Sequence, residues 1–200
     1  MRPAYAEVMT DIQVFMSVSL DGVMQAPGRP DEDTRGGFSR GGWATPYADP
    51  VMWEGMGGAG SLLFGRRTYE DFSSFWPKRT DNPFTPVLNA SPKYVVSTTL
   101  EEPLPWENST LLHGDPVAAV AVLKEKNDQD IMILGSGELV RSLMGSDVID
   151  AYTLLIHPLV LGGGQRLFAD GGPPADLELV GSKTTGTGVV IATYRTPTGR

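Results

Sequence analysis

The sequence predicts an α/β protein with a mostly parallel central sheet. Between residues 62 and 144, short apolar runs that fit buried strands alternate with segments of helical periodicity. After residue 150 the chain holds three more strand-like segments and no helical one. Because antiparallel strands need no helical crossover, this tail predicts antiparallel strands at one edge of the sheet.

Length and composition predict one domain. At 200 residues the chain can bury one sizeable core, and 40% hydrophobic with 20% charged residues is ordinary for a globular protein. No repeat or linker divides it. We expect residues 1–200 to form a single domain with its core at about 11–195, and residues 1–10 and 196–200 to be frayed.

The first quarter of the chain predicts one strand, a long loop and a short helix. Alternating apolar residues start the strand, which ends at Asp21-Gly22; they are Ile12, Val14, Met16 and Val18. Residues 25–48 are rich in Gly, Pro, Arg and Asp and should be irregular, and a loop of this length is usually functional or mobile. A helix is predicted over 49–56, with Asp49 as N-cap, Pro50 at its first position and glycines 55, 57, 58 and 60 ending it.

The rest of the chain is more regular. Strands are predicted over 62–64, 94–96, 131–134, 151–156, 177–182 and 189–194. Helices are predicted over 68–75, 116–126 and 138–144, and a Pro-rich irregular excursion over 77–92.

Charge and composition exclude several function classes. A net charge of −8 argues against nucleic acid, whose binding depends on Lys and Arg. With no cysteine there is no disulfide, thiol nucleophile or thiolate metal site, and His113 and His157 are too few for a metal site. The apolar run 12–20 is interrupted by polar residues, so we expect neither a signal peptide nor a membrane span, and a cytoplasmic location.

Three segments place small, hydroxyl or cationic residues directly after predicted strands. They are GRRTYE at 65–70, VVST at 95–98 and ILGSGELV at 133–140. Ligands of open α/β sheets bind at the carboxyl ends of the strands, where helix N-termini favour phosphate groups. The pattern predicts an enzyme or a nucleotide-binding protein. It is not a full dinucleotide fingerprint, because Val140 stands where a third glycine is needed.

Together with VSLDG at 18–22 and HPLVLGGGQRLF at 157–168, these segments resemble the dihydrofolate reductase superfamily in order and spacing. The sequence is most similar to the C-terminal reductase domain of riboflavin-biosynthesis deaminase-reductases and its stand-alone relatives, from about residue 12 to about 195. The resemblance implies a three-layer dihydrofolate-reductase-like fold. It also implies a homodimer, since such relatives often pair.

The resemblance implies NADPH as the cofactor. Arg66, Ser97 and Thr98 would contact its 2′-phosphate, and the N–H groups of Arg67 and Thr68 its pyrophosphate. The other implied cofactor-binding residues are Val18, Asp21 and Gly22, which would back the nicotinamide, and Gly65, Gly135, Ser136, Gly137, Glu138 and Leu139 of the two turns. Without a ligand, the same residues would form a capped helix with a solvated arginine pair and tight turns.

The catalytic group is less clearly marked. Folate-reducing relatives carry an acid sixteen residues before the glycine of the first turn, and Asp49 has this spacing. As the residue before Pro50, however, Asp49 is equally suited to cap a helix. Trp53 could form a wall for a flat heterocycle or belong to the core, and Arg166 could reach an anionic substrate or a surface carboxylate.

The leading hypothesis is an NADPH-dependent reductase that transfers hydride to a C=N or C=O bond of a small pteridine- or aminopyrimidine-like heterocycle. A true dihydrofolate reductase is the less favoured enzyme. Full riboflavin biosynthesis is also less favoured, because the zinc deaminase signature requires cysteine and the chain has none. The alternatives from other classes are a non-catalytic nucleotide-binding protein and a flavin-binding or self-associating structural protein.

Overall fold

The computed structural model describes residues 10–58, 60–82 and 84–197, without the side chains of residues 55–58. Its strands are β1 (Ile12–Ser19), β2 (Ser61–Gly65), β3 (Lys93–Val96), β4 (Ser109–Leu112), β5 (Ile131–Leu134), β6 (Ala151–His157), β7 (Glu178–Thr184) and β8 (Val190–Arg195). Its α-helices are α1 (Arg66–Phe75), α2 (Thr85–Ala90), α3 (Pro116–Lys126) and α4 (Gly137–Leu143).

All eight strands form one sheet in the order β4-β3-β2-β5-β1-β6-β8-β7. The first six of this order run parallel, β8 is antiparallel to β6, and β7 is antiparallel to β8. The predicted parallel sheet with an antiparallel C-terminal edge is confirmed.

Helices cover both faces of the sheet, which gives three layers. On one face the alternating residues of β1 pack with α3 and α4, and this core includes Val14, Val120 and Leu143, each with no exposed surface. On the other face Phe64 and Leu155 pack with Tyr69 of α1 and Leu88 of α2. Alternation along the strands therefore divides the apolar residues between two cores.

Several elements differ from the sequence prediction. Residues Pro50–Gly58 form a 3₁₀-helix, so the glycines at 55 and 57 lie inside the element instead of ending it. The excursion expected to be irregular contains α2, which has Pro86 in its first turn, where a missing N–H costs nothing. Strand β4 was not predicted, because it is a four-residue edge strand in which only Leu111 is buried.

The long loop after β1 has no extended element, as predicted. Its only regular pieces within the described chain are the 3₁₀ turns Arg35–Gly37 and Thr45–Tyr47. It is nevertheless packed, because Phe38 and Trp43 are buried in a separate cluster with Leu161. The loop therefore has its own apolar anchor.

The sequence predicted fraying of residues 1–10 and 196–200. Residues 1–9 and 198–200 lie outside the described residues, so the prediction can be compared with the structure only at residues 10, 196 and 197. At Thr10 and Thr196 the expectation is wrong. Thr10 is buried and its hydroxyl donates to the Asn127 carbonyl, while the Thr196 N–H donates to the Asp150 carbonyl at 3.0 Å. Within the described chain, no helix combines the length and apolar character needed to cross a membrane.

Candidate functional site

A cleft of about 1150 Å³ runs along the carboxyl ends of the parallel strands. Its floor includes Phe15, Met16 and Ser17 of β1, and its edge is formed by the segments that follow β2, β3 and β5. Eleven of the predicted cofactor-binding residues line it: Gly65, Arg66, Arg67, Thr68, Ser97, Thr98, Gly135, Ser136, Gly137, Glu138 and Leu139. Segments that are far apart in the sequence thus meet in one cleft.

Two hydrogen bonds fasten the turn before α1 to the turn before α4. The Gly65 N–H donates to the Ser136 hydroxyl at 3.0 Å, and the Ser136 N–H donates to the Thr68 hydroxyl at 3.0 Å. Neither helix has a side-chain cap, whereas Asp115 caps α3 by accepting from the Ala118 N–H. The first N–H groups of α1 and α4 therefore remain suited to an anionic group.

The backbone of the second turn is tightly constrained. Gly135 and Ser136 both have left-handed conformations, with φ of 56° and 54°. A Cβ on Gly137 would lie 1.9 Å from the Met24 sulfur, so only glycine fits there without movement of Met24. Serine tolerates its left-handed conformation because its hydroxyl, besides accepting from Gly65, donates to the Leu134 carbonyl.

The two hydroxyl residues after β3, Ser97 and Thr98, differ in exposure and in hydrogen bonding. Ser97 is buried, and its oxygen accepts from the N–H groups of Thr99 and Leu100 at 3.1 and 3.0 Å. This is the turn chemistry considered as the alternative to ligand binding, although the serine hydroxyl hydrogen remains a donor. Thr98 is exposed and lines the cleft.

Arginine is the main cation of the cleft, and nearly every guanidinium is paired internally. The pairs are Arg29 with Asp71, Arg35 with Asp33 and Glu138, Arg66 with Glu70, Arg67 with Glu138, and Arg79 with Asp81. Arg141 of α4 differs, because among the described residues its partners are the Gln165 side chain and the Arg166 carbonyl, both neutral. Sequence reasoning missed Arg141, although it lies one helical turn after Gly137.

The corner at Val18, Asp21 and Gly22 does not line the cleft. Val18 is buried in the core, and Gly22 closes a tight turn with φ of 77°. Asp21 accepts from the N–H groups of Leu161 and Gly162, and the Ser19 hydroxyl is the main cause that lowers the pKa of its carboxyl to about 2. In this geometry the corner anchors the glycine-rich segment after β6.

Asp49 also lies outside the residues that line the cleft. One of its carboxylate oxygens accepts from the Val51 N–H and the other from the Gly186 N–H, each at 3.0 Å. The carboxylate thus caps the 3₁₀-helix and joins it to the turn between β7 and β8. This is the capping alternative of the sequence analysis.

The two residues predicted for the substrate are separated. Trp53 lines the cleft, with its ring centroid 6.2 Å from that of Phe15 and 5.3 Å from that of Phe84. Arg166 does not line it and instead donates from Nε to the Asp21 carbonyl at 2.9 Å. The structure therefore brings only Trp53 to the cleft.

One end of the cleft is aromatic. Phe72, Phe75 and Trp76 line it from the α1 side, and the guanidinium carbons of Arg29 and Arg79 lie 4.3 and 5.1 Å from the Phe75 ring centroid. A planar heterocycle fits such a wall, because it stacks on rings and guanidinium planes. The cleft thus has a polar end, at the turns before α1 and α4, and an aromatic end.

The loop after β1 covers part of the cleft through residues that sequence reasoning did not single out. The Gln25 side chain donates to the carbonyls of Asp33 and Arg35 and accepts from the Gln165 N–H. Glu32 accepts from the N–H groups of Gly28 and Arg29, and burial raises the pKa of its carboxyl. A loop composition of Gly, Pro and charged residues carried no signal for these long-range contacts.

A family model described as the RibD C-terminal domain matches residues 10–191. The chain belongs to this family. The family resemblance drawn from the sequence is therefore confirmed.

Among the residues that the structure describes, no cluster of His, Cys, Asp or Glu could hold a metal ion.

Two curated relatives of this RibD C-terminal domain come from Bacillus subtilis strain 168. The uncharacterized protein YyaP is 29% identical over 139 residues, which cover 67% of this chain and 72% of the relative. The uncharacterized protein YwjB is 30% identical over 132 residues, which cover 66% of this chain and 71% of the relative.

Two solved structures share the fold. A protein from Shewanella sp. PV-4 named for riboflavin biosynthesis has a TM-score of 0.69 and 24% identity, over 94% of this chain and 99% of that one. A pyrimidine reductase-like protein from Corynebacterium diphtheriae has a TM-score of 0.64 and 12% identity, over 95% of this chain and 93% of that one. These likenesses confirm the three-layer dihydrofolate-reductase-like α/β fold.

Proposed function

We propose that this RibD C-terminal domain is an NADPH-dependent reductase that acts on a C=N or C=O bond of a small pteridine- or aminopyrimidine-like heterocycle. The observation that carries the proposal is the convergence of three separate segments, after β2, β3 and β5, on one cleft. Membership of the family and the likeness to a pyrimidine reductase-like protein support the reaction class.

The polar end of the cleft fits a dinucleotide. The uncapped starts of α1 and α4 offer N–H groups, and the left-handed turn at Gly135 allows close approach of a pyrophosphate. Arg66, Ser97 and Thr98 would hold the 2′-phosphate, while Arg141 adds a positive charge that no carboxylate of the described chain pairs with. In this proposal a reduced nicotinamide supplies the hydride.

The remaining residues would orient the acceptor and exclude water. Trp53 and Phe75 would hold a flat ring from the aromatic end, and the loop after β1 would cover it. A drier cleft strengthens the electrostatic interactions of the bound groups. Asp49 enters the proposal as a structural cap, since both of its oxygens accept backbone hydrogen bonds.

Titration with NADPH and NADH, followed by turnover assays with pteridines and aminopyrimidines, tests the proposal. We expect NADPH to bind and to be oxidised when a suitable heterocycle is present. Binding without turnover of any heterocycle would favour a non-catalytic nucleotide-binding protein. Binding of FMN but of neither nicotinamide cofactor would favour the flavin-binding alternative.

We further propose a homodimer that covers strand β7. Every residue of this edge strand is exposed, and its neighbours Leu179 and Val180 are 59% and 61% exposed. A second copy pairing along β7 would cover both side chains and the unpaired strand edge. Sedimentation equilibrium should give the dimer mass, and Val180→Lys should shift it toward the monomer.

A further inference from the structure

Glu138 joins two arginines from different parts of the chain at the polar end of the cleft. Its Oε1 accepts from Arg35 Nη1 at 2.7 Å, and its Oε2 accepts from Arg67 Nη1. Arg67 belongs to the first turn of α1, Arg35 to the loop after β1, and Glu138 to the first turn of α4. All three line the cleft. One carboxylate thus holds two guanidiniums beside the glycine turns.

The two arginines depend on Glu138 to different degrees. Arg35 also binds both oxygens of Asp33, at 2.8 and 2.5 Å, within its own loop. For Arg67, by contrast, Glu138 is the only ion-pair partner within the described chain. Loss of the Glu138 contact would therefore leave Arg35 paired and Arg67 free. The neighbouring Arg66 pairs along its own helix with Glu70 and links no separate elements.

The same contact ties the loop to one wall of the cleft. Segment 29–35 reaches α1 through the Arg29–Asp71 ion pair and α4 through the Arg35–Glu138 ion pair. These helices pack on opposite faces of the sheet. The segment therefore spans the mouth of the cleft and is held on both sides.

We propose that Arg35 and Arg67 form an anion site in which the Glu138 carboxylate and a phosphate group of the nucleotide compete, so that nucleotide binding releases segment 29–35 from α4. This inference rests on the proposed function for the identity of the nucleotide. The chemistry requires only a phosphate-bearing ligand. A phosphate carries more charge and more acceptor oxygens than a carboxylate, and can replace it on a guanidinium.

This competition would set both the affinity of the cleft for a phosphate-bearing ligand and the position of segment 29–35 over the cleft. The carboxyl of Glu138 competes as a carboxylate, because glutamate is ionised at neutral pH and hydrogen bonding to Arg35 lowers its pKa further. Its side chain and that of Arg67 are about half exposed, at 52% and 48%, so the pair is readily exchanged for another anion. Binding of a phosphate would then exchange the ion pairs with Glu138 for ion pairs with the ligand. Segment 29–35 would leave α4 but stay tied to α1 through Arg29 and Asp71, and Arg35 on the phosphate would hold it over the ligand.

Glu138→Gln tests this competition, since it removes the charge and keeps the shape. We expect affinity for NADPH, and for inorganic pyrophosphate as a minimal probe, to rise roughly three- to tenfold by calorimetry. Amide hydrogen exchange at residues 33–37 should become faster in protein without added ligand. As a control, Asp11→Asn removes an equal charge from the Asp11–Arg195 ion pair, which lies away from the cleft, and should change neither ligand affinity nor hydrogen exchange.

A double-mutant cycle with Arg67→Gln separates competition from a general effect of charge. If Glu138 competes for Arg67, the gain from Glu138→Gln should largely disappear in the Arg67→Gln background. An equal gain with and without Arg67, or unchanged affinity together with unchanged exchange, overturns the inference.

Parallel titration with FMN distinguishes failure of this inference from failure of the proposed function. If FMN and pyrophosphate gain affinity while NADPH binds neither form, the nicotinamide proposal fails and the competition stands. If NADPH binds the wild type and its affinity is unchanged by Glu138→Gln, the competition fails and the nicotinamide proposal stands.

Discussion

The backbone N–H of Ser136 donates a 3.0 Å hydrogen bond to the Thr68 hydroxyl, although 68 residues separate the two in the chain. The bond joins the start of α1 to the turn before α4. Because it fixes the distance between the two turns, it should govern how well both can hold one ligand.

Thr68→Val removes the hydroxyl and leaves the Ser136 N–H without this partner. We expect a loss of about 1–3 kcal/mol in the free energy of unfolding and weaker binding of NADPH and NADH alike. Chemical denaturation and calorimetry measure the two effects. Thr68→Ser keeps the hydroxyl and should retain most of the affinity. Equal binding by the valine and serine variants would contradict the role assigned to this bond.

Arg66 should determine the preference for NADPH over NADH. A charge-assisted contact with the 2′-phosphate is worth about 1.5–3 kcal/mol, or roughly ten- to a hundredfold in affinity. Arg66→Ala should remove most of this preference with little change in melting temperature, because the side chain is 36% exposed. Arg79→Ala, at the aromatic end, is the matched control and should leave the preference intact. Equal wild-type affinities for the two cofactors at the same salt concentration would exclude the assignment.

Gly137→Ala should create a clash with Met24, since the new Cβ would lie 1.9 Å from its sulfur. Because the sulfur lies at the far end of a flexible side chain, Met24 should rotate away at a cost of about 1 kcal/mol in unfolding free energy, and the displaced side chain should reduce binding of both cofactors. Combining it with Met24→Ala should cost less than the sum of the single changes, because the clash is then absent. Gly163→Ala meets no atom within 4 Å and is the control. Additive losses would mean that Met24 moves aside freely.

Asp49→Asn should leave turnover unchanged, because the residue lies outside the cleft. Asparagine keeps the cap on the Val51 N–H, but its amide nitrogen cannot accept from the Gly186 N–H, so some stability should be lost. Asp49→Ala should lower the unfolding free energy by about 0.5–2 kcal/mol. Thermal denaturation and initial rates with NADPH measure the two outcomes. Loss of hydride transfer in an asparagine variant that stays folded at the assay temperature and keeps its NADPH affinity would restore Asp49 as an acid.

His157 should make stability depend on pH. Burial lowers the pKa of its imidazole from 6.5 to about 4, and its ring lies edge-on to those of Trp43 and Tyr47. The unfolded chain binds the proton more readily, so this contribution is fully present above pH 6.5 and is lost as the pH falls toward 4. The loss should be about 3 kcal/mol at most. It is measured as the difference between wild type and His157→Gln in denaturation from pH 7 to pH 4; parallel curves would contradict it.

Local pattern in the sequence was enough for much of the fold. The alternation along β1 and the helical periodicity of α3 come from burial of one face, which each segment carries in its own residues. The glycine, arginine and hydroxyl residues after β2, β3 and β5 predicted a shared edge, because parallel strands bring their carboxyl ends together. Strand β4 escaped prediction, since a short edge strand with one buried residue has little pattern.

The sequence by itself thus determined the strands and helices other than α2 and β4, and the turns after β2, β3 and β5 that gather at the polar end of the cleft. Only the tertiary structure decided which partners those side chains take. Asp49 meets the Gly186 N–H across 137 residues, and Arg35 meets Glu138 across 103. Such contacts depend on how the loop and the hairpin pack against the sheet, and residue spacing carries no information about that packing. Local periodicity predicts elements, whereas ion pairs and caps between distant segments form only once the chain has folded around its two cores.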